Sequence, residues 1–388
     1  MRQEILSYLS TEKENLYNLC KFLYENPEES YKEFKSCKYI SNFLQDKGFK
    51  VKKNFLNLET SFYAEKGNGF PKICFTCEYD AIKDEGHLTG HNLLTTIAVT
   101  SVLGLGHIID KLGGTVCIIG CPGEYLGGSK ATMVRQGVFD DIDAVLVAHP
   151  DLVTCESGTS KAIIPLRVKF SGSDGFSFLN SNNYTSLDGA LLSFNILNSL
   201  LKGFYPEVSI NSILSEGGVT PLLMPIDSES KFYIRANNME KAKIAEEKIK
   251  EVSFYVSKLM SLNYHTELYE PPSEQLLSNK ILNRLFSNNL KENGIIDICP
   301  SRDINAGLSL GAVSQIVPCI HPYIDIVEKG FIKYGTKDFA LATLSTYAQE
   351  QSIKASYALI STAIDLIESE TLLSEVKGAF YKSKKSLY

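Results

Sequence analysis

Polar residues that could carry out metal-assisted or acid–base chemistry follow three strand-like segments. His87, Thr89 and His91 stand in "GHLTGHNLL", after the run "ICFTCEYDAI". Glu124 lies in "CPGEYLGGSK", and His149 ends the run "VLVAHP". Histidine and glutamate serve both as metal ligands and as general acids or bases. Two histidines four residues apart, each after a glycine, are typical of a metal-binding box, although Thr89 between them is a poor ligand.

The elements around these residues predict an α/β fold with a mainly parallel sheet. The runs "KICFTCEYD", "GTVCIIGC" and "DAVLVAHP" are short and apolar, as buried strands are. A helical pattern covers 92–111, and a short helix is predicted to start near Ser129. Because ligands collect at the carboxyl ends of parallel strands, we expect His91, Glu124 and His149 to converge.

The chain is long enough for two domains, with 388 residues of which 44% are apolar and 22% charged. From residue 163 the pattern changes to the strands "IIPLRVKFSG", "EVSINSILSEGG" and "SKFYIRAN" and a helix at 239–260 that is rich in Lys and Glu. After "YEPPSE" the helix–strand alternation returns. We therefore predict an α/β domain made of residues 1–162 and 271–388, with an α+β domain inserted at 163–270.

Two amphipathic helices are predicted near the N-terminus, at 2–26 and 30–47. In the second, apolar residues recur at steps of three and four, which places them on one face of the helix. These residues are Tyr31, Phe34, Cys37, Phe43 and Leu44.

Composition and charge argue against several classes of partner. The net charge of −6 is spread without long single-sign blocks, which does not suggest a nucleic-acid surface. No run approaches the roughly 18 apolar residues of a membrane helix, and the charged N-terminus is not typical of a signal or transit peptide. Nine scattered cysteines favour a reducing cytoplasm over a disulfide framework. We expect a cytoplasmic protein whose partner is a small molecule.

Five motifs follow one another with suitable gaps: "EYDAIKDEGHLTGHNLL", "GCPGEYLGGSKATMVRQGVFDDIDAVLVAHP", "SEGGVTPLLMP", "FYIRA" and "VSQIVPCIHPY". Over nearly the whole chain they resemble the M20 peptidase family, in particular its amidohydrolase branch with aminoacylase-like, dipeptidase-like and aminobenzoyl-glutamate hydrolase-like members. The resemblance implies a zinc-peptidase-like α/β domain. It also implies that 163–270 is a lid or dimerisation domain, through which the chain would form a homodimer.

The resemblance implies a two-metal site, but the chain departs from the family pattern at the ligand positions. The family box is H-x-C-G-H, whose cysteine bridges two metals and whose second histidine binds one. In the family's pair of glutamates, Glu124 matches the general base, and the next residue occupies a ligand position. Two ligand positions keep a metal-binding residue, His91 and His149, and three are replaced, by Thr89, Tyr125 and Gly335.

These replacements predict a weakened metal site. Zinc needs about four ligand atoms, and two adjacent cations need a bridging anion. The Thr89 hydroxyl stays protonated and supplies no charge, and Tyr125 would have to ionise from a pKa near 10. We predict no two-metal centre, and either no cofactor or a single zinc on His91 and His149. Asp80 is a further candidate, as a catalytic or orienting carboxylate beside Glu124 and the histidines.

The candidate substrate-binding residues are Thr89, His87 and Tyr125 in the cleft and Arg235 and Phe176 in the inserted domain. Arg235, in "YIRA", could hold a substrate carboxylate as a fork, or could pair with an acid of its own domain. Phe176 stands where the family carries a histidine that polarises the substrate carbonyl, and it cannot donate. Three further features each have a functional and a purely structural interpretation. Cys121 is a nucleophile or a packed residue, "CFTC" is a redox motif or part of the core, and "GEYLGGSK" is a phosphate loop or a tight turn.

Three functional hypotheses remain open from the sequence. The first is an amidohydrolase that acts on a small N-acyl amino acid or dipeptide-like amide with a reduced metal site. The second is a pseudoenzyme that binds such ligands without turnover. The third is metal-free acyl transfer or amide formation with Glu124 as general acid–base.

Overall fold

The computed structural model describes residues 1–180, 182–200, 203, 206–328 and 330–385. The chain divides into two compact units. The first consists of Met1–Thr159, Leu276–Ile304 and Ala312–Tyr388, and the second of Ser160–Gln275 and Asn305–Gly311. The insertion predicted from the sequence, 163–270, falls within the second unit.

The described elements alternate helix and strand over much of the chain. The helices are α1 (Arg2–Glu25), α2 (Phe34–Asp46), α3 (His91–Leu112), α4 (Lys130–Arg135), α5 (Ser186–Leu200), α6 (Met239–Met260), α7 (Lys280–Glu292), α8 (Leu310–Ser314), α9 (Lys337–Ala342), α10 (Thr346–Glu368) and α11 (Glu370–Lys385). The strands are β1 (Lys50–Lys53), β2 (Phe62–Asn68), β3 (Lys72–Cys77), β4 (Gly114–Gly120), β5 (Ala144–Leu146), β6 (His149–Asp151), β7 (Ala162–Ser171), β8 (Ser209–Glu216), β9 (Asp227–Ala236), β10 (Asn263–Leu268), β11 (Cys319–Ile320) and β12 (Tyr323–Asp325).

The first unit is built on a six-stranded sheet in the order β1-β2-β4-β3-β5-β11. The pairings of β3 with β4 and β5, and of β5 with β11, are parallel, while β2 is antiparallel to β1 and β4. Strand β4 is buried along its whole length because helices cover the sheet, as parallel sheets require. β6 and β12 form a separate parallel pair. The predicted α/β class with a mainly parallel sheet is confirmed.

Helix α3 is the central helix of this unit, packed on β3 and β4 and covered by α1 and α10. By length and composition alone it could cross a membrane, but 94% of its most apolar window is buried inside the protein, as in a core helix. The helices approach closely at Gly104, where an added Cβ would lie 2.5 Å from Ile360 Cδ1. Glycine at this point therefore sets the distance between α3 and α10.

The second unit is an antiparallel sheet in the order β10-β7-β9-β8 with α5 and α6 packed on it. Along β9 buried and half-buried residues alternate, so one face of the strand, with Phe232 and Ile234, belongs to the core. The predicted helix at 239–260 matches α6 residue for residue.

The predicted face of the second N-terminal helix is partly wrong. The helix begins at Phe34, after Tyr31, which adopts a positive φ of 62°. Phe34 is 51% exposed. The face that α2 buries carries Cys37, Ile40 and Leu44 together with two serines, whose hydroxyls donate to Glu28 Oε2 and to the Lys38 carbonyl.

Candidate active site

The candidate site lies where strands β3 and β4 end in the first unit. Glu78 and Asp80 follow the last residue of β3, and Glu124 follows β4 in a short turn. His91 is the first residue of α3, and Lys130 is the first residue of α4. The local sequence explains the turns before His91 and Glu124, because Gly90 and Gly123 both adopt the left-handed conformation that glycine tolerates.

Lys130 is the electrostatic centre of the site. Its side chain has no solvent exposure, and its ammonium donates to Glu78 Oε1 at 2.6 Å and to Glu124 Oε2 at 3.0 Å. A charge removed from water must be paired to be tolerated. The two carboxylates meet that requirement, and each of them gains the same ammonium as its ion-pair partner.

The protonation states of Lys130 and Glu78 follow from burial and pairing. Burial alone would lower the pKa of Lys130, but Glu124 and Glu78 hold it well above its ordinary value. Burial alone would raise the pKa of Glu78, but Lys130 and His91 lower it below the ordinary carboxylate value. Lys130 and Glu78 therefore form a charged ion pair at neutral pH.

His91 is held between two acids. Its Nδ1 lies 2.8 Å from Asp80 Oδ1, and its Nε2 lies 3.7 Å from Glu78 Oε2. Burial opposes the charged imidazole, but Asp80 and Glu78 outweigh it and raise the pKa of His91 to about 9. Asp80 Oδ2 also accepts from the Ser30 hydroxyl at 2.7 Å and from the Tyr125 N–H at 2.9 Å. Asp80 thus orients His91 and the turn after β4.

His149 and His321 extend the site as neutral rings. The His149 ring centroid lies 6.0 Å from that of His91 and 5.3 Å from that of His321. Burial, and then the charge on His91, lower the pKa of His149, while burial and His149 lower the pKa of His321 to about 3. Nδ1 of His149 lies 2.8 Å from the Pro150 carbonyl. Neither ring nitrogen of His321 has a hydrogen-bond partner among the described residues, although both are buried.

Thr89 and Tyr125 form a hydroxyl pair at the half-exposed edge of the site. Their side-chain oxygens are hydrogen-bonded to each other, and the Tyr125 ring stacks on His91 at a centroid distance of 4.7 Å. Burial raises the pKa of the Tyr125 phenol well above its ordinary value, so the phenol stays protonated. The two residues are hydrogen-bond donors rather than anionic ligands.

A further buried acid, Glu33, fixes the turn that carries Glu124. Glu33 accepts from the Gly123 N–H at 2.8 Å and from the Thr60 hydroxyl at 2.8 Å. Burial raises the pKa of Glu33 to about 7. The Tyr31 ring lies against Gly123, where an added Cβ would be 2.3 Å from Tyr31 Cζ. The position of Glu124 therefore depends on two residues that precede α2.

The donor set does not fit the two-metal centre that the fold family implies. Glu78 and Glu124 are engaged by the Lys130 ammonium. The three positions of the missing ligands hold Thr89, the protonated phenol of Tyr125 and Gly335, none of which supplies negative charge. In the part of the chain that the structure describes, no three His, Cys, Asp or Glu side chains form a metal-binding group.

Three predicted residues lie outside this network. His87 is buried and its Nε2 lies 3.1 Å from the Leu23 carbonyl of α1, while burial and His91 lower its pKa to about 4. Arg235 and Phe176 belong to the second unit. Arg235 donates to Asn211 and its guanidinium lies 5.2 Å from the Tyr233 ring, and Phe176 is 45% exposed.

The sequence did not single out Lys130 or Glu33. Lys130 lies in "GEYLGGSK", for which the sequence suggested only a phosphate loop or a tight turn. The only available signal was a lysine at a strand-to-helix junction between two glutamate-bearing segments. That signal is weak because lysine is almost always exposed.

No protein-family model matches the chain. It is 27% identical over 386 residues to Xaa-Arg dipeptidase of Mus musculus, which covers 95% of this chain and 89% of that protein. It is 30% identical over 264 residues to one of the subunits of p-aminobenzoyl-glutamate hydrolase from Escherichia coli (strain K12), covering 61% of this chain and 55% of that protein. A solved structure of a dinuclear metal-binding peptidase of the M20 family from Bacillus subtilis superposes with a TM-score of 0.65 at 15% identity, covering 93% and 99% of the two chains.

The solved structure establishes the fold, and the two curated relatives agree with the motifs found in the sequence. The chain therefore has the fold of the M20 peptidases, and its sequence is similar to those of a dipeptidase and an aminobenzoyl-glutamate hydrolase, consistent with the amidohydrolase branch.

Proposed function

We propose that this protein acts on the amide bond of a small N-acyl amino acid or dipeptide-like compound through a metal-independent site. The observation that carries the proposal is the buried Lys130 ammonium between Glu78 and Glu124. It supplies positive charge to carboxylates that would otherwise need a cation. The names of the relatives, a dipeptidase and an aminobenzoyl-glutamate hydrolase, support the amide class.

Glu124 is the acid–base group of this proposal. Its side chain is 10% exposed, whereas that of Lys130 has no exposure, so a ligand can reach Glu124 and not the ammonium. Lys130 is a positioning residue that holds Glu124. Glu124 accepts a proton from a water molecule as the water oxygen bonds to the amide carbonyl carbon. When the C–N bond then breaks, Glu124 returns the proton to the leaving amine.

The hydroxyls of Thr89 and Tyr125 are the donors available to the substrate carbonyl oxygen. Both side chains are half-buried, and at least one hydroxyl hydrogen is free to turn outward when they are hydrogen-bonded to each other. His321 adds one N–H and one acceptor nitrogen that no described residue satisfies. A ligand amide offers both complementary groups, which supports a small polar ligand at this cluster.

The second candidate is binding of the same ligand class without turnover. The complete burial of Lys130 favours it, because no cation then touches the oxyanion that forms during attack on an amide. A protonated Tyr125 and a threonine are weaker stabilisers than a metal ion. The two candidates share the ligand and differ only in product formation.

A hydrolysis assay on chelator-treated protein tests the proposal. N-acyl amino acids, dipeptides with C-terminal arginine and aminobenzoyl-glutamate are the substrates, and released amine is measured. We expect turnover that persists in chelator and falls by a factor of about 10² or more in Glu124→Gln, while the exposed Glu14→Gln variant keeps it. Saturable binding without product would select the second candidate. Turnover that chelator abolishes and zinc restores would refute both.

The predicted dimer and cytoplasmic location stay predictions.

A further inference from the structure

Two cysteines on the far side of Tyr323 from the candidate site stand next to each other in the first unit. The Cys299 N–H donates to the Thr154 carbonyl at 2.8 Å, and the Glu156 N–H donates to the Cys299 carbonyl at 3.1 Å. These bonds make Cys155 and Cys299 partners in a parallel β-bridge. Bridge partners project their side chains from the same face, about 4.8 Å apart along the sheet.

The two thiols are neighbours across the bridge but differ in access. Cys155 is 3% exposed, whereas Cys299 is an exposed residue, and both are free thiols. Burial raises the pKa of Cys155 to about 11, and the neighbouring Cys299 adds to the rise. The strand spacing falls inside the Cα separation of roughly 4.4–6.8 Å that a disulfide accepts. The Cys299 thiol is therefore accessible to an oxidant, and the buried Cys155 thiol lies beside it.

We propose that Cys155 and Cys299 form a reversible modification site, a disulfide that closes when the exposed thiol meets hydrogen peroxide. The Cys299 sulfur attacks one peroxide oxygen, the O–O bond breaks, and the first water leaves with a sulfenic acid formed on Cys299. The Cys155 sulfur then attacks the Cys299 sulfur, the S–O bond breaks, and the second water leaves. The two thiols lose two electrons and two protons to the peroxide, which becomes two waters.

The disulfide would tie together two segments that flank the candidate site. Cys155 exchanges both backbone hydrogen bonds with Tyr323, at 3.0 Å each. The Arg302 guanidinium lies 4.8 Å from the Tyr323 ring and pairs with Asp151. The Tyr323 ring centroid in turn lies 6.0 Å from that of His149. Oxidation therefore fixes Arg302 and Tyr323 beside the site histidines.

A second neighbouring pair provides the control. Cys74 and Cys117 are register partners on β3 and β4, but both side chains have no solvent exposure. Peroxide has no path to either sulfur in the folded protein. Proximity is shared by the two pairs, whereas only the first pair also has an exposed member.

Peptide mapping of the full-length chain tests the proposal. The reduced protein is treated with hydrogen peroxide, alkylated, digested and analysed by mass spectrometry. We expect a cross-linked peptide pair carrying Cys155 and Cys299, a fall in free thiols from nine to seven as two are consumed, and full reversal by dithiothreitol. Cys155→Ser and Cys299→Ser each remove the cross-link, and Cys117→Ser keeps it. Cys299 recovered as sulfinic acid with Cys155 still a thiol, or a Cys299–Cys299 link between two chains, would overturn the proposal.

Discussion

The Lys130 ammonium lies 2.6 Å from Glu78 Oε1 although the two residues are 52 positions apart in the chain. The contact brings the end of β3 to the start of α4, where the same nitrogen also meets Glu124. A built-in cation at this place accounts for two facts together. Three buried or nearly buried acids, Glu78, Asp80 and Glu124, lie together in one site, and residues that cannot bind metal well are tolerated beside them.

Removing the Lys130 ammonium should destabilise the folded protein. In Lys130→Met, Glu78 and Glu124 lose their shared partner while staying buried, so the free energy of unfolding should fall by about 3–5 kcal/mol. Urea unfolding of the variant and of Lys111→Met gives the comparison, because Lys111 pairs with Glu4 at the surface, where solvent screens the pair, and its loss should cost far less. Equal losses in the two variants would show that the Lys130 network is not buried.

Glu33 should make the protein less stable as the pH rises. Its pKa is about 7 in the folded protein against an ordinary value of 4.5. Between these values the folded state keeps a proton that the unfolded state has lost, so unfolding becomes easier with rising pH. Unfolding free energies measured from pH 4.5 to 8 should fall by roughly 3 kcal/mol more in the native chain than in Glu33→Gln. Glu14→Gln should behave like the native chain, and a native-like slope in Glu33→Gln would contradict the assignment.

Gly123 should tolerate alanine less well than another glycine of similar backbone. Gly123 and Gly86 have φ values of 81° and 90°, so alanine strains both by about 1–2 kcal/mol. Only at Gly123 would the new Cβ also meet the Tyr31 ring, whereas nothing lies within 4 Å at Gly86. Gly123→Ala should therefore lose about 1–3 kcal/mol more than Gly86→Ala in thermal or chemical unfolding. Indistinguishable losses would mean that Tyr31 moves freely away from the turn.

Two helix glycines should respond to alanine with opposite signs. At Gly104 in α3 the new Cβ would press on Ile360 and Leu9, and we expect a loss of about 1–3 kcal/mol. At Gly378 in α11 nothing lies within 4 Å, and alanine should stabilise the protein by roughly 0.5–1 kcal/mol through helix propensity. Calorimetry of both variants checks the pair. A stabilising Gly104→Ala would show that α3 and α10 are not in close contact.

The fold was predictable because local sequence patterns indicate its strands and helices. Buried strands such as β4 are continuous apolar runs, and α6 is bounded by Asn238, whose side chain accepts from Lys241 N–H as an N-cap does. The family motifs added the α/β class and its insertion. The misplaced face of α2 arose because apolar periodicity does not reveal that Phe34 stays exposed.

The site was predictable only in part. His91, Glu124 and His149 follow from the rule that functional groups gather at strand ends. Lys130 does not follow from this rule. Its burial depends on an ion pair with Glu78, which lies 52 positions earlier in the chain, and the local sequence "GGSK" gives no sign of that pair. Glu33 escaped for the same reason, since its partners Thr60 and Gly123 come from two other segments.

Zinc stoichiometry tests the central claim most directly. The full-length protein is incubated with excess zinc, freed of unbound metal by gel filtration, and its metal content is compared with that of His149→Ala. On our proposal that Lys130 takes the place of a metal, the native chain and the His149→Ala variant should retain the same amount of zinc. One or two zinc ions that the native chain retains and the variant loses would contradict the account.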